Sequence, residues 1–165
     1  MKKPRILIGS SVCQKPSILE RFLVSLKKLD LTGIDVTFRF IDDNQNETSS
    51  HMLQQANLGH ETILTTAPPK TAVYHVDDTT HYWSGSLVLR VANLKNLIIA
   101  YAIENRFNYL FLIDSDLIIN PNLILHLLAQ EKDVISEIFW TSTQHCAAGA
   151  DAEPSVFSQK DRFFK

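Results

Sequence analysis

Asp114 and Asp116 stand one residue apart, separated by Ser115, directly after the apolar run Tyr109-Leu110-Phe111-Leu112-Ile113. Two carboxylates at that spacing suit a hard cation, because both can reach one ion or one can hold it while the other accepts a ribose hydroxyl. Magnesium and manganese match oxygen ligands of this kind. Asp42-Asp43-Asn44 is a second carboxylate pair behind an apolar segment, and its functional reading is a group that accepts hydrogen bonds from a base or a ribose. Gly9-Ser10-Ser11 is a third polar cluster, behind Arg5-Ile6-Leu7-Ile8. Each also has a plainer reading. Asp-Xaa-Asp occurs in ordinary solvated turns, and Asp42-Asp43 can be a turn that caps a helix. What decides between the readings is whether the chain brings the clusters to one place.

The elements that would do so follow from periodicity. Residues 5–8 form a short apolar strand ended by Gly9-Ser10-Ser11, and Ser17 with Glu20 supplies a capping-box pattern for a helix. Ile18, Leu19, Phe22, Leu23, Leu26 and Leu29 recur at helical spacing until Thr32-Gly33. Residues 34–41 alternate apolar and polar side chains at period two, which predicts a strand with one partly exposed face. Asn46 to Ser50 can open a helix running through Met52, Leu53 and Ala56, and residues 61–65 can form a third strand. Residues 67–85 lose periodicity and read as a long, candidate functional loop. A helix over 86–105 presents Leu87, Val91, Leu94, Ile98 and Ala102 on one face. The run 109–113 then reads as a strand buried on both faces. Asn120-Pro121 opens a helix to about Gln130, and residues 133–139 predict a fifth strand.

Strands alternating with helices predict an α/β fold with a mostly parallel, Rossmann-like sheet flanked by helices. In such a sheet the carboxyl ends of the strands share one edge, where ligands bind near a topological switch point. All three polar clusters follow strand ends, so that edge is where they are expected to converge.

Composition narrows the ligand. The chain has 165 residues, 45% of them hydrophobic and 21% charged, enough for one continuous core. A net charge of -2 without a long basic run gives no footprint for nucleic acid or for an anionic membrane surface. Gly9 stands alone, so no glycine-rich cradle for NAD or ATP phosphates is present, and diphosphate charge would need a metal. The amino-terminus lacks a signal-peptide pattern, and the longest apolar stretches, around 97–102 and 109–113, fall short of a membrane span. Cys13 and Cys146 show neither disulfide nor metal spacing, which fits a reducing cytoplasm.

Two motifs carry a resemblance. Phe40-Ile41-Asp42-Asp43-Asn44-Gln45-Asn46-Glu47-Thr48 resembles a segment of family-2 inverting glycosyltransferases with the GT-A fold, and Phe111-Leu112-Ile113-Asp114-Ser115-Asp116 resembles their metal motif. Asn96 and Ala102 are similar to the helix ahead of that motif, and the match runs in register over roughly residues 5 to 140. The resemblance implies a GT-A-type α/β/α sandwich over 1–140, with 141–165 a short tail at the start of an acceptor-binding region. It implies a nucleotide-diphospho-sugar donor, expected to be a UDP-sugar, and manganese or magnesium as cofactor. Asp43 would contact the base, Ser10 and Ser11 would wall it, Asp114 would lie near the ribose, and Asp116 would hold the metal. Arg90 or Lys95 would approach the diphosphate; the plainer reading makes each an exposed cation on a helix face. Val12-Cys13 and Lys95-Asn96 depart from the family's usual tyrosine-asparagine and arginine-asparagine pairs.

The same resemblance implies an acceptor-binding half that supplies the catalytic base. About fifty residues follow Asp116, fewer than a usual domain, which predicts either part of a longer enzyme or a minimal variant. Glu137, Asp151 and Glu153 are the remaining candidates for the base, and His145 for a further metal ligand, none within a recognisable motif. The acceptor, whether carbohydrate, lipid-linked or protein, is not encoded in any of these patterns. A nucleotide-sugar-binding relative without transfer activity is the alternative reading. A nucleotidyltransferase is a third, weakened because Gly9 to Lys15 is a poor version of its phosphate loop.

Overall fold

The computed structural model describes residues 3–69 and 84–137, and its elements run β1 (Arg5–Val12), α1 (Pro16–Lys27), β2 (Asp35–Asp42), α2 (Glu47–Gln54), β3 (Glu61–Thr66), α3 (Gly85–Glu104), β4 (Tyr109–Leu112) and α4 (Leu123–Ala129). The four strands form one all-parallel sheet in the order β3-β2-β1-β4. Chain order reverses between β1 and β4, so the switch point falls beside β1. The expected α/β class with a parallel, Rossmann-like sheet flanked by helices is therefore present.

Strand alternation assigns the helices to faces. Ile6, Ile8 and Val12 of β1 and Val36, Phe38 and Phe40 of β2 share a core with Leu19 and Phe22 of α1, Leu53 of α2, and Leu123 and Ile124 of α4. Leu7 and Ile41 point the other way and pack with Leu94, Ile98 and Ala102 of α3. The first core holds the largest side chains. Phe22 meets Phe40 edge-on at 6.4 Å between ring centroids, and Phe38 stacks on Phe40 at 6.1 Å. All three rings are essentially inaccessible to water, and each burial stabilises the fold by roughly 1.5–3 kcal/mol.

Several boundaries differ from the sequence expectations. β1 does not end at Ile8: Gly9, Ser10 and Ser11 are strand residues paired with Arg39, Phe40 and Ile41. A central strand has partners on both sides, so its backbone groups are satisfied even where the side chains are small and polar. Ser17 is not the α1 cap. The helix starts one residue earlier, at Pro16, with Lys15 extended before it and no side-chain cap, because proline in the first turn presets the helical φ and needs no donor partner. The helix after Asn120-Pro121 starts a turn later, at Leu123, since Asn120 Oδ1 accepts from the Asn122 amide at 2.9 Å and holds a turn there. Residues 133–137 contain no strand, and the remainder of that expected fifth strand lies outside the described residues.

Two corrections matter more. β4 is an edge strand of the described sheet with Tyr109 49% exposed, whereas β1 is the strand buried on both faces. An unbroken apolar run marks both kinds of strand, because a parallel edge strand still has a helix on each face. In addition, α3 is by length and composition apolar enough to cross a membrane, with a mean hydropathy of 1.4 over its most apolar 18-residue window. Asn93, Lys95 and Asn96 interrupt the run without lowering that mean enough. Here α3 lies on the sheet.

α2 is the best-capped helix. Asn46 accepts hydrogen bonds at Oδ1 from the amides of Thr48 (2.8 Å) and Ser49 (3.4 Å), satisfying two of the donors a helix start leaves free. Asn46→Ala is expected to lower unfolding free energy by about 1 kcal/mol, measured by urea denaturation, while Asn46→Asp leaves it nearly unchanged.

Candidate functional site

β1, β2 and β4 deliver their carboxyl ends to one edge, and the alternation of side chains sorts the candidate residues onto two faces of it. Gly9 faces α3, so Ser11, two residues on, faces the same way. Asp43 and Asp114 also face α3, as their partners there demonstrate. Ser10 and Asp42 lie on the α1 side, in line with Phe38 and Phe40.

On the α3 side, Arg90 grips Asp43 through both edges of its fork. Nη2 donates to Oδ1 at 2.6 Å, and Nε donates to Oδ1 at 3.2 Å and Oδ2 at 3.1 Å. The same guanidinium donates to the carbonyls of Pro68 (2.7 Å) and Pro69 (3.4 Å), which follow β3. Arg90 therefore ties the ends of β2 and β3 to the first half of α3. The pair is largely sheltered, with side chains 19% and 10% exposed. Hydrogen bonding to Asp43 raises the Arg90 pKa above its ordinary value. A raised pKa means the ion pair's contribution is complete below the unfolded value and is lost only above the folded one, beyond the range where proteins are handled. Arg90 is charged at every working pH.

Five residues along α3, Lys95 donates from Nζ to Asp114 Oδ1 at 2.8 Å. That pair is more exposed, and ion pairs of this kind contribute at most about 1 kcal/mol. Asp114 begins a turn whose carbonyl accepts from the Leu117 amide at 3.4 Å, with Ser115 buried inside it and Asp116 exposed. The two carboxylates of the motif thus differ: Asp114 is engaged by a cation, while Asp116 faces solvent. Among the described residues, no three His, Cys, Asp or Glu side chains converge as a self-sufficient metal cage. Magnesium-type ions commonly take only one or two protein carboxylates and complete their shell with phosphate and water; the carboxylates of this motif that could serve so are Asp114, held by Lys95, and the exposed Asp116.

The α1-side residues serve the frame. Asp42 is buried and accepts at Oδ1 from the Asn44 amide (3.0 Å) and Nδ2 (2.7 Å). Asn44 in turn accepts from the Gln14 amide at 2.8 Å, and Ser49 donates to the Gln14 carbonyl at 2.7 Å. This network locks the loops after β1 and β2 together. From the sequence Asn44 reads only as the last member of its polar cluster, while Gln14 and the Pro68 and Pro69 carbonyls have no role assigned there, and Gln14 carries no signal. Ser10 is buried, its hydroxyl 3.5 Å from the Ser11 carbonyl.

Glu137 Oε1 lies 3.9 Å from His126 Nε2 of α4. Asp151, Glu153 and His145, together with residues 70–83 of the expected functional loop, lie outside the described residues. β2 and β4 are separated only by β1, and Asp43 lies two residues further along its strand than Asp114, so the two ends stand roughly 12 Å apart. Comparison with protein-family models, with curated proteins and with solved structures finds no match to this chain.

Proposed function

We propose that this chain is the nucleotide-sugar-binding part of a metal-dependent GT-A-type glycosyltransferase that transfers sugar from a UDP-sugar to an acceptor hydroxyl with inversion. The observation that carries the reading is the set Ser11, Asp43 and Asp114 on the α3 side of the carboxyl edge, with Arg90 and Lys95 reaching them from one helix. Asp43 is the acceptor for a base N–H, and Ser11 lies on the same face of the sheet, level with Ile41 two residues before Asp43. Asp114 is set for the ribose or the diphosphate, and Lys95 supplies positive charge next to it.

Asp116, with Asp114, would hold manganese or magnesium, whose chemistry when bound is to offset the charge of the departing diphosphate. The protein's own contribution is orientation. Arg90 fixes Asp43, and the Asp42-Asn44-Gln14 network fixes the loop that carries it. A ligand spanning the edge meets groups already held in place, which reduces the ordering cost of binding.

Calorimetric titration with UDP and manganese tests the reading. Saturable heat that requires the metal supports it, and Asp116→Asn is expected to weaken metal-dependent binding by at least about tenfold, equivalent to one charge-assisted ligand. Absence of metal-dependent heat with every nucleotide tried would sink the proposal. Binding without turnover of any donor by the full chain would favour the alternative, a nucleotide-sugar-binding relative lacking transfer activity.

A further inference from the structure

Arg39 sits in the middle of β2 on the α3 side, level with Gly9 of β1 and Ile63 of β3. Neither neighbour offers an acceptor side chain. Glu61, the carboxylate nearest in register on that face, is engaged by the Thr37 hydroxyl at 2.9 Å. Among the described residues, Arg39 Nε is the only buried side-chain nitrogen or oxygen without a hydrogen-bond partner. Its guanidinium instead lies over the Tyr101 ring, 4.1 Å from the centroid. Arg90 shows what such a fork does when a carboxylate is within reach.

An arginine cannot shed its proton at any working pH, so this charge must be met or its burial must be endured. The ring meets part of it, since a cation over an aromatic face is attracted by the ring's negative face. Among the described residues, α3 does not cover the guanidinium completely. α3 packs on β1 and β4, and the strands beyond it keep Arg39 and Ile63 half-buried and Thr65 exposed on this face.

We propose that Arg39, backed by Tyr101, is an oxyanion-binding site on the α3 side of the sheet, taking a phosphate or a carboxylate group. The ring holds the guanidinium plane while the anion is bound through the terminal N–H groups, and the bound charge offsets the cost of burying the unpartnered Nε beside them. Arg39 is four residues below Asp43, about 13 Å along the strand, so this site is separate from the carboxyl edge. It stands whether or not the chain binds a sugar nucleotide.

The test is NMR of the arginine Nε–H signals in the full chain, titrated with sodium phosphate and, separately, sodium acetate, against sodium chloride at matched ionic strength. Arg39→Met identifies the Arg39 signal by its loss, and the Arg90 signal reports the carboxyl edge independently. The expected result is a saturable shift of Arg39 Nε–H, accompanied by the Tyr101 ring protons, with phosphate, acetate or both. Saturation with phosphate alone assigns a phosphoryl ligand, and equal saturation with acetate assigns a carboxylate. Tyr101→Leu should weaken binding about threefold. Anion-dependent thermal stabilisation should persist in Arg39→Lys at reduced strength and vanish in Arg39→Met. Shifts that are linear and equal to those with chloride, or thermal stabilisation retained in full by Arg39→Met, would overturn the proposal.

Discussion

Arg90→Met is expected to destabilise the folded chain by about 3 kcal/mol and, under the function proposed above, to abolish nucleotide binding at the carboxyl edge. Methionine keeps the aliphatic stem but removes a guanidinium that joins Asp43 to the Pro68 and Pro69 carbonyls. What remains is a carboxylate 10% exposed with its main cationic partner gone. Removing one member of a buried pair commonly costs about 3–5 kcal/mol, and the partial exposure of Arg90 places the expectation at the lower end. Urea denaturation measures the loss, and the double variant Arg90→Met with Asp43→Asn should recover part of it, because the orphaned charge is then absent. Since the Arg90 pKa is raised, the difference between wild type and variant contains no contribution from arginine titration in the neutral range. A loss below about 0.5 kcal/mol would show the pair to be a surface contact of the ordinary kind.

Gly9→Ala should be nearly as damaging, for an opposite reason. Elsewhere in a strand the added methyl would lower the entropy of the unfolded chain and be neutral or mildly favourable. At Gly9 an added Cβ would stand 2.3 Å from Ile98 Cγ2, a distance that forces α3 away from the sheet. Overpacking of this kind costs about 1–3 kcal/mol, and the rigid neighbours on both sides of β1 argue for the upper part of the range. Ile98→Ala alone removes a fully buried side chain and costs about 2–5 kcal/mol. Combined, the two changes should cost at least about 1 kcal/mol less than their sum, since the alanine at position 9 partly fills the space left by the isoleucine. Simple additivity would show that α3 does not rest on Gly9.

Much of this was legible in the sequence where one face of an element meets one core. The spacing of Leu94, Ile98 and Ala102 identified the contact face of α3, and the alternation in residues 34–41 announced a strand with a partly open face, which is where Arg39 lies. The carboxylates at the ends of β2 and β4 were also recognisable, because loops after parallel strands share an edge. Three things were not legible. Ser10 and Ser11 read as a loop because pattern reading sees side chains, whereas β1 is held by backbone bonds to two neighbours. The run 109–113 could not disclose that β4 is at the edge of the described sheet, since an unbroken apolar run marks edge and central parallel strands alike. Finally, the partners of Arg90 and Lys95 depend on which strand ends lie beneath each flank once α3 has taken its roll, and no spacing rule specifies the strand order.

That roll has a mechanical consequence. Arg90 and Lys95 sit on opposite flanks of the helix and reach down to strands on either side of β1, while Ile98 bears on Gly9 between them. The helix resembles a beam moored by two lines across a single bearing. A ligand that takes over Asp114 would slacken one mooring and leave the Asp43 line taut, so α3 would tend to turn about the Gly9 bearing. Events at the carboxyl edge would then be felt along the length of the helix, as far as Tyr101.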